Sequence, residues 1–546
     1  MIRLTRAKAT AIPIILACGM EIGGFLIRAQ FNDTRPLASF VPPGAKLYLE
    51  AKDFRKLLSQ WNSSAEKRKW LSSENFRAVS MSRLIQRLAE AETQFETVAG
   101  VGIQMNLLDE VAGGRSAFAF YDFGKLNFVY LSEVGRARIE ASSFWRNRTA
   151  YQAREVSGIP FFVKTDTAAG RTVAFCQYRD WFAVATDEDR MAQTLQLLAG
   201  KRAASLTTEN WFNAVIKTAT APSDLRLVYS LDSLLATPQF RTYWIQRNAT
   251  ELKAFSSGIS GLTEQQNGFD EQRTMLKKME TTPALNDAAM NEALQYVPAA
   301  HSLYRAWATP DAVRLREVLQ QVVFGEPTGV FDMGRIAPEV NTEAPVIGSV
   351  TDLETRIDEP PFQRNGQPSI ENLAKAVEAM QPLALLHVQV ASVLHDDVFV
   401  MPSSGLVLIC KNANGAALSQ ALGEVTSMAE SGSLDPLSKS VAGNTIVLTR
   451  LTLTRQEPFL RPQAGATYVA GYNNRQEWPH YKKLFGLVDQ SLSSPEMAVR
   501  DGTPPFFSGN VRSFGDALSR FESASIQSVE KPQELQETVA YRLSSQ

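Results

Sequence analysis

One segment of this sequence occurs twice, and that doubling constrains the fold more than any other feature. Phe40-Val-Pro-Pro-Gly-Ala-Lys-Leu-Tyr48 matches Tyr296-Val-Pro-Ala-Ala-His-Ser-Leu-Tyr304. Both read aromatic-Val-Pro, four variable residues, then Leu-Tyr. In each copy the proline halts pairing and Leu-Tyr begins a strand. An amphipathic helix follows each: Asp53-Phe-Arg-Lys-Leu-Leu-Ser-Gln-Trp61 and Asp311-Ala-Val-Arg-Leu-Arg-Glu-Val-Leu319. Later landmarks recur as well. Residues 227–234 and 507–514 each read as a strand, a serine and a short helix. Strand pairs follow at 252–261 with 269–276, and at 523–529 with 537–543. The sequence therefore predicts two diverged homologous lobes, 37–282 and 290–546, and not a solenoid of many short units.

Within the lobes, hairpins alternate with helices. Ser116-Ala-Phe-Ala-Phe-Tyr-Asp-Phe123, the turn Gly124-Lys125 and Leu126-Asn-Phe-Val-Tyr-Leu131 make one hairpin. Residues 171–178 and 181–185 make another around Arg179-Asp180. A helix over 187–198 opens on acidic residues, which suit a helix N-terminus. A longer helical pattern over 73–96 places Leu84, Ile85, Leu88 and Phe95 on one side. In the second lobe, 405–411 reads as a strand and 416–429 as a helix. Hairpins with interspersed helices predict an α+β fold built on mainly antiparallel sheet. Residues 325–368, rich in Pro, Gly, Asn and Asp, read as a partly ordered excursion from lobe two.

Residues 1–29 read as a signal-anchor or signal peptide. Three cations precede nineteen mostly apolar residues, 9–27. As a helix these would reach roughly 28 Å, close to a hydrocarbon core of about 30 Å. The cations keep the N-terminus in the cytoplasm and send the body across. Three fates remain open. An uncleaved anchor must accommodate Glu21 in lipid. A cleaved signal would end near Ala29, after a poor processing site. A lipoprotein signal would lipidate Cys18, since Ile15-Leu-Ala-Cys18 has the form of a lipobox, although the stretch after it stays apolar.

Composition removes several functions. Lys and Arg total 56 and Asp and Glu 57, so the net charge is −1. Nucleic-acid binding normally needs a basic excess or stripe, so no nucleic-acid partner is expected. There are 3 cysteines and no CxxC pair. Cys176 and Cys410 sit in strand-like apolar runs and read as buried thiols, with a disulfide between distant parts of the chain as the other reading. No dinucleotide, Walker, G-x-S-x-G or HExxH pattern occurs. His395-Asp396-Asp397 is the one place where a histidine adjoins carboxylates, too few ligands for a metal site. The other histidines are His301, His387 and His480. Ser64-x-x-Lys67, Ser528-x-x-Lys531, Ser508-Gly-Asn510 and the pair Asp109-Glu110 are short patterns of the kind chance supplies. No cofactor, metal site or catalytic residue is predicted. Phe118, Phe120, Tyr121, Phe123, Phe128 and Tyr130 crowd one hairpin. They read either as sheet packed on helices or as a greasy groove between the lobes.

The export segment, the aromatic-x-Pro opening, and Leu107-Leu-Asp-Glu-Val-Ala-Gly-Gly-Arg-Ser-Ala-Phe-Ala119 before a second half of similar layout resemble a group of bacterial exported α+β proteins known only as a domain of unknown function. The resemblance implies a bacterial cell-envelope location, with the body in the periplasm or outside, and supplies no site residues. The functional expectation is a membrane-tethered, non-enzymatic binding or scaffold protein that meets another envelope protein or its own copy. One alternative is a carrier or chaperone for an apolar ligand, lipid or peptide, between the lobes. Another is a hydrolase whose site has no recognisable motif.

Overall fold

The computed structural model describes residues 35–73, 76, 83–102, 105–122, 126–168, 170–219, 222–237, 252–324, 370–394, 399–429, 437–457, 460–476, 478–479 and 520–544. Residues 1–29, Cys18 and the excursion 325–368 lie outside them. Among the described residues no helix is long and apolar enough to cross a membrane.

The first half runs β1 (Leu47–Ala51), α1 (Phe54–Ser63), α2 (Ala65–Leu71), α3 (Arg83–Ala99), α4 (Met105–Val111), β2 (Ser116–Asp122), β3 (Asn127–Glu133), α5 (Arg136–Glu140), α6 (Ser143–Arg146), β4 (Gln152–Val156) and β5 (Ile159–Asp166). It continues through β6 (Arg171–Tyr178), β7 (Trp181–Ala185), α7 (Glu188–Leu198), α8 (Asn210–Ile216), β8 (Leu225–Ser230), α9 (Leu231–Leu235), β9 (Phe255–Gln265) and β10 (Gly268–Lys277). The second half runs α10 (Asp287–Leu294), β11 (Leu303–Ala308), α11 (Ala312–Phe324), α12 (Glu371–Ala379), β12 (Pro382–Leu394) and β13 (Phe399–Cys410). Then come α13 (Gly415–Ala429), β14 (Ser438–Ala442), β15 (Thr445–Thr449), β16 (Ala466–Asn473), β17 (Phe521–Glu530) and β18 (Glu534–Leu543).

The fold is α+β, with all of these strands in one antiparallel sheet. Their spatial order is β4-β5-β6-β7-β3-β2-β1-β8-β9-β10-β18-β17-β16-β11-β12-β13-β15-β14. Read outward from the β10–β18 junction, the two sides follow the same sequence of neighbours. The first half adds β5 and β4 at its far edge.

Residue register follows the same rule. Leu47 lies opposite Tyr229 as Leu303 lies opposite Tyr472. Tyr48 lies opposite Ala119 as Tyr304 lies opposite Val388. At the junction Gln272 faces Thr538, and three residues away on either side Phe269 faces Tyr541 and Met275 faces Leu535. One expected correspondence differs. The strand that stands in β8's place is β16, because β11 takes β12 and β16 as neighbours where β1 takes β2 and β8. Residues 507–514, the expected match, lie outside the described residues.

Several predicted elements appear at their expected positions. Strands β6 and β7 span 171–178 and 181–185, and Asp187 caps α7 by accepting from the Arg190 backbone N–H at 2.9 Å. The 73–96 pattern yields α3 only from Arg83, and residues 74–75 and 77–82 lie outside the description. Cys176 and Cys410 are free and buried, one in each half. Burial pushes their thiols up to about 12 and about 11.

The alternating pleat gives the sheet two covered faces. On one face of the first half, Tyr48, Ala119, Leu131 and Ala183 pack beneath α7, α8 and the turn Leu37–Phe40. On the other, Phe175, Phe182 and Val184 pack with Phe95, Leu107, Ile139 and Phe144 of α3 to α6. In the second half, α10 covers Tyr304, Ala306 and Val388, and α11 to α13 cover Leu385, Leu406 and Leu448.

The halves are joined by nine cross-strand residue pairs between β10 and β18. A polar cluster lies across this seam. Arg273 forms a two-pronged pair with Glu271, 2.7 Å at each prong, and approaches Glu537 at 3.7 Å. Ser260 and Tyr541 also donate to Glu271, at 2.6 and 3.0 Å. Partial burial works against the Glu271 carboxylate, but Arg273, Ser260 and Tyr541 outweigh it and hold its pKa below the usual value. Arg273→Met should therefore lower unfolding stability by about 1–3 kcal/mol near neutral pH, a figure reduced for partial exposure. Glu271, left without its cation, protonates as pH falls, so the loss should shrink below the ordinary carboxylate range. Urea melts of both proteins at neutral and acid pH check this, and an equal deficit at both would contradict it.

Candidate functional site

The strongest site candidate is a cavity of about 340 Å³ beneath the aromatic face of the first half. Local sequence explains its floor. In β2 the residues alternate, so Ala117, Ala119 and Tyr121 enter one core while Phe118 and Phe120 face the other way. In β3, Val129 and Leu131 join the first core, and Phe128 and Tyr130 join Phe118 in the cavity. The rings form a continuous apolar floor. Phe118 stacks on Phe128 at 5.1 Å and lies 6.0 Å from Phe120, and Phe95 of α3 stacks on Phe128 at 6.2 Å. Val98, Leu107 and Val111 from α3 and α4 make the opposite wall.

The Gly-Gly pair fixes where α4 sits. A Cβ on Gly113 would lie 2.0 Å from the Glu133 carbonyl oxygen, so only glycine admits the end of β3 there. The Gly113 N–H donates to Ser132 Oγ at 2.9 Å. The carbonyls of Gly113 and Gly114 accept from Arg55 and Phe54 at the start of α1. One short segment thus ties α1, α4, β2 and β3 together at the cavity's inner end. Tyr130 closes that end by donating from its hydroxyl to the Val111 carbonyl at 3.1 Å. Burial raises its pKa to about 12, against smaller opposing effects from Ser132, Ser116 and Arg138, so it stays neutral.

The mouth is polar. Glu92, Gln94, Arg171, Thr172 and Thr186 border it. Arg171 donates to Gln94 Oε1 from Nε at 3.2 Å and from Nη2 at 3.0 Å. Among the described lining residues below this rim there is no serine, cysteine, histidine or carboxylate pair, and the space can enclose apolar groups.

The residues singled out from the sequence scatter elsewhere. Tyr121 points away from the cavity and donates to the Pro42 carbonyl at 2.9 Å. Phe123, His395, Asp396, Asp397, His480 and Ser508 lie outside the described residues. Ser64 is the N-cap of α2, accepting from the Lys67 backbone at 3.1 Å, so the Ser-x-x-Lys spacing there is a helix start. Ser528 donates to Glu537 and Lys531 pairs with Glu534, on the seam side of the sheet. Asp109 accepts from Asn62, and Glu110 accepts from the Ser143 N–H and hydroxyl at the start of α6. His301 Nδ1 donates to the Pro298 carbonyl at 2.8 Å and meets the Tyr304 ring edge-on. Among the described residues no group of three His, Cys, Asp or Glu could hold a metal ion. Sequence reading named the aromatics but missed the helical wall of Val98, Leu107 and Val111. The Leu107-Leu…Val111 spacing on one helical face was the signal that could have found it.

Three of the corresponding strand positions in the second half are polar, while Leu406 and Leu448 stand where Tyr130 and Val184 do. By register His387 stands where Phe118 does, Gln389 where Phe120 does and Ser404 where Phe128 does. Arg305 Nη2 donates to His387 Nδ1 at 3.0 Å and to Gln321 at 2.9 Å.

No protein-family model matches the chain, and no curated protein matches it. Among solved structures, crystal form I of TP0453 is similar at 14% identity over 46% of this chain and 82% of its own, with a TM-score of 0.24. Crystal form III of TP0453 is similar at 12% identity over 46% and 83%, with a TM-score of 0.25. At those scores the likeness carries no argument about function.

His387 offers a direct pH test. It is fully buried, and burial first and the Arg305 charge second push its pKa well below the ordinary histidine value. The native state keeps the ring neutral, while the unfolded chain protonates it below about pH 6.5. The stability it contributes is therefore complete above that pH and is lost as pH falls toward the native pKa. The expected slope is about 1.4 kcal/mol per pH unit from this residue. In His387→Leu that component of the slope should vanish, although the variant starts less stable because Arg305 loses an acceptor. Chemical unfolding across the pH range gives both slopes; equal slopes would mean that His387 titrates freely in the native protein.

Proposed function

We propose that this chain is a non-enzymatic binding protein for an apolar ligand, whose alkyl or aromatic portion lies in the cavity of the first half. The observation that carries the proposal is the aromatic floor of Phe118, Phe120 and Phe128 facing an aliphatic wall, with polar groups confined to the rim. Ligand sites are mostly apolar concavities of about 300–1,000 Å³ with a few polar groups that orient the occupant. A volume of about 340 Å³ is at the small end and fits one chain or one ring system better than a whole lipid or a peptide. The site belongs to one half, in place of the groove between lobes that the sequence suggested.

The same proposal takes the body as two diverged homologous lobes, 37–282 and 290–546, held at a bacterial envelope membrane by residues 1–29. The mirrored strand order and the register about Gln272 and Thr538 support duplication. The cation-preceded apolar segment supports the tether. The second lobe has His387, Gln389 and Ser404 where the first has the floor residues Phe118, Phe120 and Phe128, so one site per chain follows.

The test is native mass spectrometry of the intact protein from its own membranes, joined to displacement of a fluorescent fatty acid. The expected result is a small apolar molecule bound one to one. Leu108→Trp, which pushes bulk into the cavity from α4, should weaken probe binding about tenfold or more, equivalent to 1.4 kcal/mol, with its thermal unfolding unchanged. A protein that carries no small molecule and binds the probe as well after Leu108→Trp would overturn the proposal.

A further inference from the structure

Three of the large hydrophobic side chains exposed on the described surface fall within eleven residues of one another. Trp61 is 41% exposed, Trp70 37% and Leu71 48%. They belong to α1 and α2, which meet at Ser64: this residue ends the first helix and caps the second. Water disfavours this exposure, and large apolar groups left exposed on adjoining helices mark interaction surfaces.

The surrounding charge selects the partner. Residues 52–71 hold six Lys or Arg against Asp53 and Glu66 in a chain whose net charge is −1; Glu264 pairs with Lys56 at 3.1 Å, and Lys67, Arg68 and Lys69 carry the excess beside Trp70. Lys67, Trp70 and Leu71 stand at i, i+3 and i+4 in α2 and share one helical face, with Arg68 and Lys69 exposed beside them. Indole rings favour the boundary between hydrocarbon and headgroups. Cations beside them favour an anionic headgroup layer. A protein partner with an acidic apolar groove would satisfy the same chemistry only if shaped for this corner, whereas a bilayer needs no shape.

The corner is built onto the cavity. Asn62 of α1 donates to Asp109 of α4 at 3.1 Å. The Phe54 ring of α1 meets the Tyr130 ring at 6.4 Å, and Tyr130 lines the cavity with Leu107, Leu108 and Val111 of α4. From this we infer that the α1–α2 corner docks on an anionic lipid bilayer and sets the closed, α4 end of the cavity beside it. The inference builds on the apolar-ligand reading of the cavity, but its surface part stands on separate residues.

The experiment uses the full chain with two kinds of vesicle, zwitterionic phosphatidylcholine alone and the same lipid with added phosphatidylserine. Hydrogen–deuterium exchange reads out the region, so that attachment through residues 1–29 does not obscure it. Peptides covering 54–71 should be protected on the phosphatidylserine vesicles, less so on the neutral ones, and high salt should remove the difference. Protection should be lost in Trp61→Ser/Trp70→Ser. In Lys67→Gln/Lys69→Gln the affinity of this corner should fall about fivefold per charge. Unchanged thermal unfolding excludes a folding defect in either variant. Transfer of a fluorescent fatty acid from the vesicles to the protein is measured in parallel. Protection at 54–71 without transfer would uphold the docking surface and remove the cavity reading. Probe binding with no change at 54–71 on either vesicle would overturn the docking inference and leave the cavity reading in place.

Discussion

Strands β10 and β18 would each expose a ladder of unpaired N–H and C=O groups if left at an edge, a template for aggregation. Their mutual pairing removes both edges at once and makes one sheet from two halves. The remaining outer strands are of a safer kind. Both β4 and β14 are five residues long and exposed, and they carry Arg154, Glu155 and Lys439. Everything that positions the cavity follows from this arrangement. The sheet's central strands are held on both sides, so their faces can be given wholly to side chains that pack on helices. Glycine secures the seam itself: Gly268 has φ of +141°, and a Cβ there would come within 2.0 Å of the Tyr541 carbonyl oxygen. The Arg273 cluster then balances two carboxylates, Glu271 and Glu537, which register places at corresponding positions of the two halves.

The strand order is shared, but the faces differ in chemistry. In the first half, β2 and β3 offer stacked phenylalanines with space above them. In the second, His387, Gln389 and Ser404 hold the corresponding points, and Arg305 reaches His387 and Gln321 of α11. A half-buried guanidinium and a neutral imidazole make poor company for an alkyl chain, since each needs a polar partner. The second half uses this face to bind α11 to the sheet. That difference confines an apolar site to one half without any change in strand order.

Much of the frame was legible in the sequence because its signals are local. Proline before Leu-Tyr, Asp at the heads of α1 and α7, two-residue alternation in β2 and the apolar run of β6 each act within a few residues. The match of β8 with β16 was hidden for a physical reason. In the first half Tyr229 lies over Gly258 on the next strand, where a Cβ would come within 2.5 Å of its ring. In the second half Tyr472 holds the Tyr229 position and faces Ala524, and the glycine stands instead at Gly471, Val228's position, where a Cβ would come within 2.3 Å of the Tyr304 ring. The glycine that makes room for a tyrosine thus stands on a different strand in each half, so β16 reads Val469-Ala-Gly-Tyr472 where β8 reads Arg226-Leu-Val-Tyr229. The cavity was half legible. Alternation separates Phe118 and Phe120 from Tyr121, yet the depth left beneath α3 and α4 depends on the Gly113 contact with Glu133, which no periodicity encodes.

Energetics favour an occupant for that depth. Apolar void in a protein core is worth about 24 cal/mol per Å³. About 340 Å³ of it would correspond to ~8 kcal/mol, an upper bound because the space opens toward Arg171 and the lining is not fully withdrawn from water. Typical net stabilities are only about 5–15 kcal/mol, so even part of that sum is large for one feature of the fold. Larger side chains could close the space cheaply, since Val98, Val111 and Val184 line it with small groups. Stacked rings that hold each other in place while small aliphatic residues leave room opposite are what a site for an exchangeable apolar ligand requires. A core selected for stability alone would fill the same volume.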